Sequence, residues 1–416
     1  MTSSAHSLTT LFCESRHHGD VRSYLLLAML LLFAPFSTAT GRDLRADPVT
    51  GRVRVIYAGK IVGSPFPVIS IEPSLSCTAV FACEKTQRPE VLKKSLRNYF
   101  PRTYSRYLDQ DVIVLCDASA KAFRTDHFRW MRDGVLEGGQ GMVMLGGAES
   151  FMSGGWKDNE VADILPCEML DLELSQSGGS IVVIDSEDEF IRSLPMDRLG
   201  SYGFFHSANN IQPRSRASYI ASLSKPFGTM PLLMWWDIGE GRTMAHSAGW
   251  QPAAGNTFMK WEYYGDYAIN MMLFLAGRKL PDDIEMVYLV RRRMREVNDG
   301  LNMLISLIEM VEKLGGSGYG LNQLLVEIQE ERGEAVDLYV EADLDGGLAA
   351  LASVLGMVEE AMGEAIRARD QAAFWIFLTE WAVVSGTSML AGVLVWVLMV
   401  RRMLYREVEI TRLRSI

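Results

Sequence analysis

The chain has 416 residues, room for more than one domain, and its 48% hydrophobic and 22% charged residues are close to globular averages. It carries 41 Lys and Arg against 51 Asp and Glu, a net charge of −10. That balance excludes a general nucleic-acid binder, whose phosphate contacts demand a basic surface. A mean hydropathy of +0.07 points to membrane segments. The five cysteines are Cys13, Cys77, Cys83, Cys116 and Cys167, with no CxxC spacing, so no metal site is expected and no motif implies a cofactor. Cys77 and Cys83 would close a small disulfide loop if they lie outside the cytosol; the alternative is unpaired, partly buried thiols.

Residues 1–22 are polar, with Arg16 and Arg22, and Tyr24–Phe36 is an apolar run of 13 residues. That is short for the ~30 Å hydrocarbon core of a bilayer. It fits the apolar region of a secretory signal, and Ser37-Thr38-Ala39 supplies the small residues of a cleavage site. Residues 1–39 therefore read as a signal peptide cut near Ala39, with an uncleaved N-terminal anchor as the alternative.

Residues 52–280 read as an α/β domain. Arg52–Gly59 alternates and ends in glycine, as a strand does. Pro89 opens a helix that runs to about Tyr99 and is ended by Pro101. Asp111–Asp117 is a continuous apolar run closed by aspartate, as in a strand covered on both faces. A helix follows from Thr125 to about Leu136, then a strand over Met142–Leu145. This alternation predicts a flavodoxin-like doubly wound sheet. Further strands are expected at Ile181–Ile184, Ala217–Leu223, Pro231–Trp236 and Arg242–Ser247. A closing helix over Thr257–Gly277 carries Phe258, Trp261, Tyr263, Tyr264, Tyr267 and Phe274, read as helix-to-sheet packing or, alternatively, as a sugar-stacking surface. The glycines around Met142–Leu145, from Gly138 to Gly155, mark a tight turn at a strand C-terminus, where open α/β sheets bind ligands.

Several of these residues carry a resemblance. Arg97–Tyr104, Asp111–Asp117, Val143–Gly147 with Ser150-Phe151, Gly154-Gly155-Trp156, Ile164-Leu165-Pro166, Pro231–Leu233, Gly239–Arg242 and Leu275–Arg278 resemble the glutamine amidotransferase-like domain of bacterial and archaeal membrane proteins. They are also similar to trehalose-utilisation-type domains of the same superfamily. Class I amidotransferases place a cysteine in a Gly-x-Cys-x-Gly elbow, activated by His and Glu. No such elbow exists here, since neither Cys116 nor Cys167 has flanking glycines. His246 ends a late strand, where the superfamily often sets its base, and is followed by Ser247-Ala248 rather than by x-Glu. The resemblance makes Gly146-Gly147 an oxyanion-type loop that binds a ligand or merely turns. Catalytic residues are thus unassigned, with His246, Cys116 and Cys167 as weak candidates. Gly146, Gly147, Glu149, Ser150 and Asp117 are the ligand-binding candidates, and Asp117, Glu149, Asp185 and His246 are placed to converge at strand ends. Ser150 and Ser153 lack a Gly-x-Ser-x-Gly context.

Residues 281–372 read as a helical stalk. Val287, Val290, Met294, Val297, Leu301, Leu304, Ile308 and Val311 form a heptad seam. Gly315–Gly318 and Asp345–Gly347 break the pattern into further helices near Gly320–Glu341 and Leu348–Met362. An antiparallel bundle and an intermolecular coiled coil both fit. Arg291-Arg292-Arg293 is expected to be a solvated face paired with Glu296.

Residues 374–402 read as one transmembrane helix, with no charge from Trp381 to Val400 and with Trp375, Trp381 and Trp396 at the interfaces. Arg401, Arg402, Arg406, Arg412 and Arg414 outweigh Arg367 and Arg369, which puts the tail, 403–416, in the cytoplasm and the α/β domain outside. Ala382/Gly386 and Ser388/Gly392 are small-residue pairs that permit helix contact in lipid. The expected partners are the bilayer and a homo-oligomer or envelope complex joined through stalk and membrane helix. The expected role is ligand binding or assembly by a catalytically degenerate domain. The alternatives are an active hydrolase or amidotransferase, and a structural subunit of a membrane complex.

Overall fold

The computed structural model describes residues 50–171, 178–226 and 228–413, so the expected signal segment lies outside the described residues. In chain order the first half comprises β1 (Val53–Gly59), α1 (Phe66–Ser70), β2 (Leu75–Phe81), α2 (Pro89–Tyr99), α3 (Tyr104–Leu108), β3 (Val112–Cys116), α4 (Thr125–Leu136) and β4 (Gly141–Gly146). β3 and β4 are buried along their whole length, as continuous apolar runs must be when both faces are covered. α5 (Glu160–Ile164), β5 (Cys167–Met169), β6 (Gly179–Val183), α6 (Glu189–Arg192), β7 (Phe204–Phe205) and β8 (Ile211–Pro213) follow, and then β9 (Ser218–Lys225), β10 (Gly228–Ile238) and β11 (Gly241–Gly249). α7 (Pro252–Gly255) and α8 (Tyr264–Leu275) close the head.

The main sheet has the order β2-β1-β3-β4-β11-β10-β9-β6-β7. Strands β2, β1, β3, β4 and β11 are parallel, which is the doubly wound half that the alternation predicts. From β10 onward the pairing is antiparallel. β5 and β8 form a separate ribbon. One core packs α8 and β11 against one face, through Tyr267, Phe274 and Trp250, and the other packs α4 and Trp156 against the opposite face.

β2 lies outside the sequence reading, and the closing aromatic stretch departs from it. β2 is a half-exposed edge strand with only Leu75 and Val80 fully buried, so it carries no strong apolar alternation. The aromatic stretch after Thr257 is not one helix, because Trp261 turns extended between a short 3-10 turn and α8. All six of its aromatic residues are nonetheless buried, so they pack and offer no sugar-stacking surface. Cys77 and Cys83 are free thiols. Five residues of largely extended chain separate them, so six steps span about 20 Å, far beyond the reach of a disulfide.

The stalk comprises α9 (Ile284–Lys313), α10 (Tyr319–Val340) and α11 (Leu344–Leu413). All eight seam residues of α9 are buried against Leu321, Ile328, Leu351, Val354 and Val358, so the seam closes within one chain as a three-helix bundle. Arg292 and Arg293 pair with Glu296 as expected. Arg291 does not. It is buried, bonded to Glu72 (3.1 Å), Asp266 (2.6 Å) and the Tyr339 hydroxyl (2.9 Å), and it ties stalk to head. The expected third stalk helix and the apolar span are one continuous element, α11, of 70 residues. It is long and apolar enough to cross a membrane, with a mean hydropathy of 2.1 over its best window, and is compatible with a single-pass anchor.

Candidate functional site

The parallel strands β3 and β4 end side by side, with Cys116 opposite Leu145. Asp117, next after β3, is driven into the left-handed region at φ 50°, and Phe151 beyond β4 has φ 53°. Such conformations are costly for residues other than glycine and need support from their surroundings. Asp117 has that support. Its Oδ1 accepts the Glu149 amide (2.7 Å), its Oδ2 accepts Gln251 Nε2 (2.7 Å), and its own amide donates to Ser150 Oγ (3.1 Å). Ser150 Oγ donates in turn to the Leu145 carbonyl (2.6 Å). Glu149 folds back over the turn and accepts the amides of Glu84 (2.5 Å) and Lys85 (2.8 Å). Lys60 closes the circuit on Gln251 Oε1 (2.7 Å).

The glycine pair is fixed by this crowding. A Cβ on Gly146 would lie 2.0 Å from the Ser247 carbonyl oxygen, and one on Gly147 would lie 2.4 Å from Asp117 Oδ1. The Gly147 amide is not left free for an oxyanion, since it donates to Asn209 Oδ1 (2.8 Å), whose Nδ2 returns to the Gly147 carbonyl (3.1 Å). The structure therefore gathers Asp117, Gly146, Gly147, Glu149 and Ser150 into one buried knot whose polar groups satisfy each other. Asp185 is not part of it. It follows β6, which lies four strands across the sheet from β4, a lateral distance of about 19 Å.

His246 stands apart from the Cys116 and Cys167 thiols. On β11 it faces Leu145, so Leu145 separates it from Cys116 by two strand spacings, about 9.5 Å. Cys167 belongs to the core on the other face of the sheet. His246 is fully buried, its Nδ1 lies 2.9 Å from the Ala248 carbonyl, and Trp250 Nε1 lies 3.1 Å from Nδ1 and 3.2 Å from Nε2. The Ala248 carbonyl assigns the ring proton to Nδ1, and the Trp250 N–H, almost equidistant from both nitrogens, covers the face of the ring. Burial holds this imidazole down at about 3, against an ordinary value near 6.5. Burial likewise pushes the Cys116 and Cys167 thiols up to about 12 and the Cys83 thiol, beside Asp117, up to about 11. A thiol so protonated is a poor nucleophile. No group of three or more His, Cys, Asp or Glu is spaced to hold a metal among the described residues.

Sequence reasoning missed Asn209, Gln251, Lys60 and Cys83. Cys83, Asn209 and Gln251 reach Asp117 or Gly147 across 34, 62 and 134 positions, and Lys60 reaches Gln251 across 191. No local pattern marks them.

This head, with parallel order 2-1-3-4 and a glycine turn at the β4 terminus, is an α/β domain. Residues 90–277 match the family model described as "Putative glutamine amidotransferase". Among solved structures, a cytoplasmic protein from Salmonella typhimurium is similar at 17% identity and a TM-score of 0.45, covering 54% of this chain and 99% of its own. A "thua-like protein" from Bacteroides uniformis is similar at 13% identity and a TM-score of 0.34, covering 56% of this chain and 93% of its own. No curated protein matches the chain.

Proposed function

We infer that this chain is a single-pass envelope protein whose amidotransferase-like head has lost amidotransfer and serves binding and assembly. One observation carries this reading: the strand-end turn is saturated from within. The Gly147 amide goes to Asn209, the Glu149 amide to Asp117 and His246 Nδ1 to the Ala248 carbonyl, with the imidazole ring fully buried against Trp250. An oxyanion hole needs donors aimed at empty space, and a cysteine nucleophile needs a base within about 3 Å. The orientation rests on the arginines that follow Val400, which favour a cytoplasmic tail and a head outside the cell. From Leu344 to Trp375 at the expected interface α11 rises about 45 Å, a distance that holds the head clear of the bilayer for a partner to reach.

The test is ammonia release from glutamine by the full chain in detergent. Release should not exceed that of a variant lacking Cys83, Cys116 and Cys167. Turnover that this variant abolishes would sink the reading and restore the enzyme.

A further inference from the structure

In a protein with a net charge of −10, one cavity is lined by four cations and no carboxylate. It measures about 440 Å³ and lies between α2 and the first turn of α4, away from the strand-end turn. Lys93 and Arg97 project from α2, Arg102 follows it, and Arg124 precedes α4. Arg124 is paired with Asp126 at the rim. Arg102 Nε is bound to the Arg97 carbonyl (3.2 Å). Lys93 and the Arg97 guanidinium contact no carboxylate among the described residues. Lys93 and Arg97 stand four apart on one helix face, a like-charge spacing that destabilises a helix unless something negative lies between them.

A second observation points the same way. His127 lines the cavity and is only 6% exposed. Its Nδ1 accepts the Arg124 amide (3.4 Å), which assigns the ring proton to Nε2, and Nε2 has no partner among the described residues. Burial, with Arg124 beside it, holds the imidazole down at about 4, so the ring is a neutral donor at neutral pH. Phe100 stacks against it, with centroids 4.6 Å apart, and supplies an apolar wall. This donor opens into the cavity, where an anion can accept from it alongside the cations.

We propose that this cavity binds a phosphate-bearing organic anion, its phosphate held by Lys93, Arg97, Arg102 and His127 Nε2–H and its remaining part lying on Phe100. Guanidinium groups suit a phosphate because their paired donors match its oxygens. The volume exceeds what a phosphate group alone fills. The site lends the head a ligand of its own whether or not the strand-end turn is inert, so failure of one reading leaves the other standing.

Calorimetric titration of the full chain in detergent tests it with three probes: inorganic phosphate, adenosine monophosphate, and glycerol phosphate as the headgroup of an anionic lipid. Saturable binding of an organic phosphate is expected, weakened about tenfold or more by Arg97→Glu or Arg102→Glu, both on exposed side chains with no share in the core. Lys279→Glu, the same charge change at a remote exposed residue, should leave it unaltered. His127→Phe keeps a ring against Phe100, removes the donor and should weaken binding severalfold; Lys93→Ala serves if that variant misfolds. Tighter adenosine monophosphate assigns a soluble ligand, and tighter glycerol phosphate a lipid one. No saturable binding of any probe, equal losses in Lys279→Glu, or inorganic phosphate binding as tightly as both esters would each overturn the proposal.

Discussion

Asp117 concentrates the demands of the strand-end turn in one side chain. It holds a left-handed backbone and accepts two buried donors. Asp117→Ala should cost about 2–5 kcal/mol, the sum of two orphaned donors and an unfavourable φ. Asp117→Asn should cost less, because asparagine tolerates that backbone and keeps one acceptor. Urea unfolding of the two variants measures the difference, and equal losses would remove Asp117 from this role. His246 gives a second prediction. Its folded pKa, about 3, lies below the unfolded value, so its stabilising contribution is complete above pH 6.5 and is lost as pH falls from there toward 3. The slope is about 1.4 kcal/mol per pH unit. Between pH 7 and pH 5 the protein should lose about 2 kcal/mol more than His246→Gln does, read from urea midpoints at each pH. The histidine position was legible in the sequence as a strand end. Its sealing was not, because the rings of Phe205, Trp250 and Tyr267 that enclose it come from three separate segments.

Among the elements, α9 shows both the reach and the limit of periodicity. Its eight apolar seam positions are all buried, since a 3–4 spacing places them on one stripe whatever covers that stripe. Leu304→Ala should therefore cost the bundle about 2–5 kcal/mol in thermal or urea unfolding. Arg291 beside that stripe is read from sequence as solvated, and the fold turns it inward onto Glu72 and Asp266. Burial pushes the Asp266 carboxyl upward, and the Arg291 guanidinium opposes that shift. Arg291→Met leaves two carboxylates in the joint without their cation and should cost about 3–5 kcal/mol. Arg292→Met, on the exposed pair with Glu296, should cost well under 1 kcal/mol. Similar losses for the two arginines would contradict the buried joint.

For the molecule as a whole, the continuity of the bundle helix and the apolar stretch in α11 couples any tilt of that stretch to the bundle, and through Arg291 and Tyr339 to the head. The proposed orientation is open to a labelling experiment. Ser317→Cys, on the exposed turn between α9 and α10, should react with a membrane-impermeant maleimide in intact cells. The native thiols of the head, with pKa values raised to about 11 or 12, should stay largely silent. Labelling of Ser317→Cys only after the membrane is broken would reverse the topology. Leu390→Asp, in the middle of the apolar stretch, should weaken membrane retention, at a cost of about 2.5–3.5 kcal/mol.

Local pattern alone determined the α/β alternation, the apolar seam of the stalk and the uncharged stretch from Trp381 to Val400, because each depends on spacing within one segment. Local pattern also marked Gly146-Gly147 as a crowded turn. Only the tertiary structure decided what crowds it. Asn209 arrives from a distant loop and consumes the Gly147 amide that was expected to serve a ligand, while Gln251, held in turn by Lys60, takes the Asp117 carboxylate. Hydrogen-bond satisfaction is a property of neighbours in space, and neighbours in space are what a one-dimensional pattern does not contain.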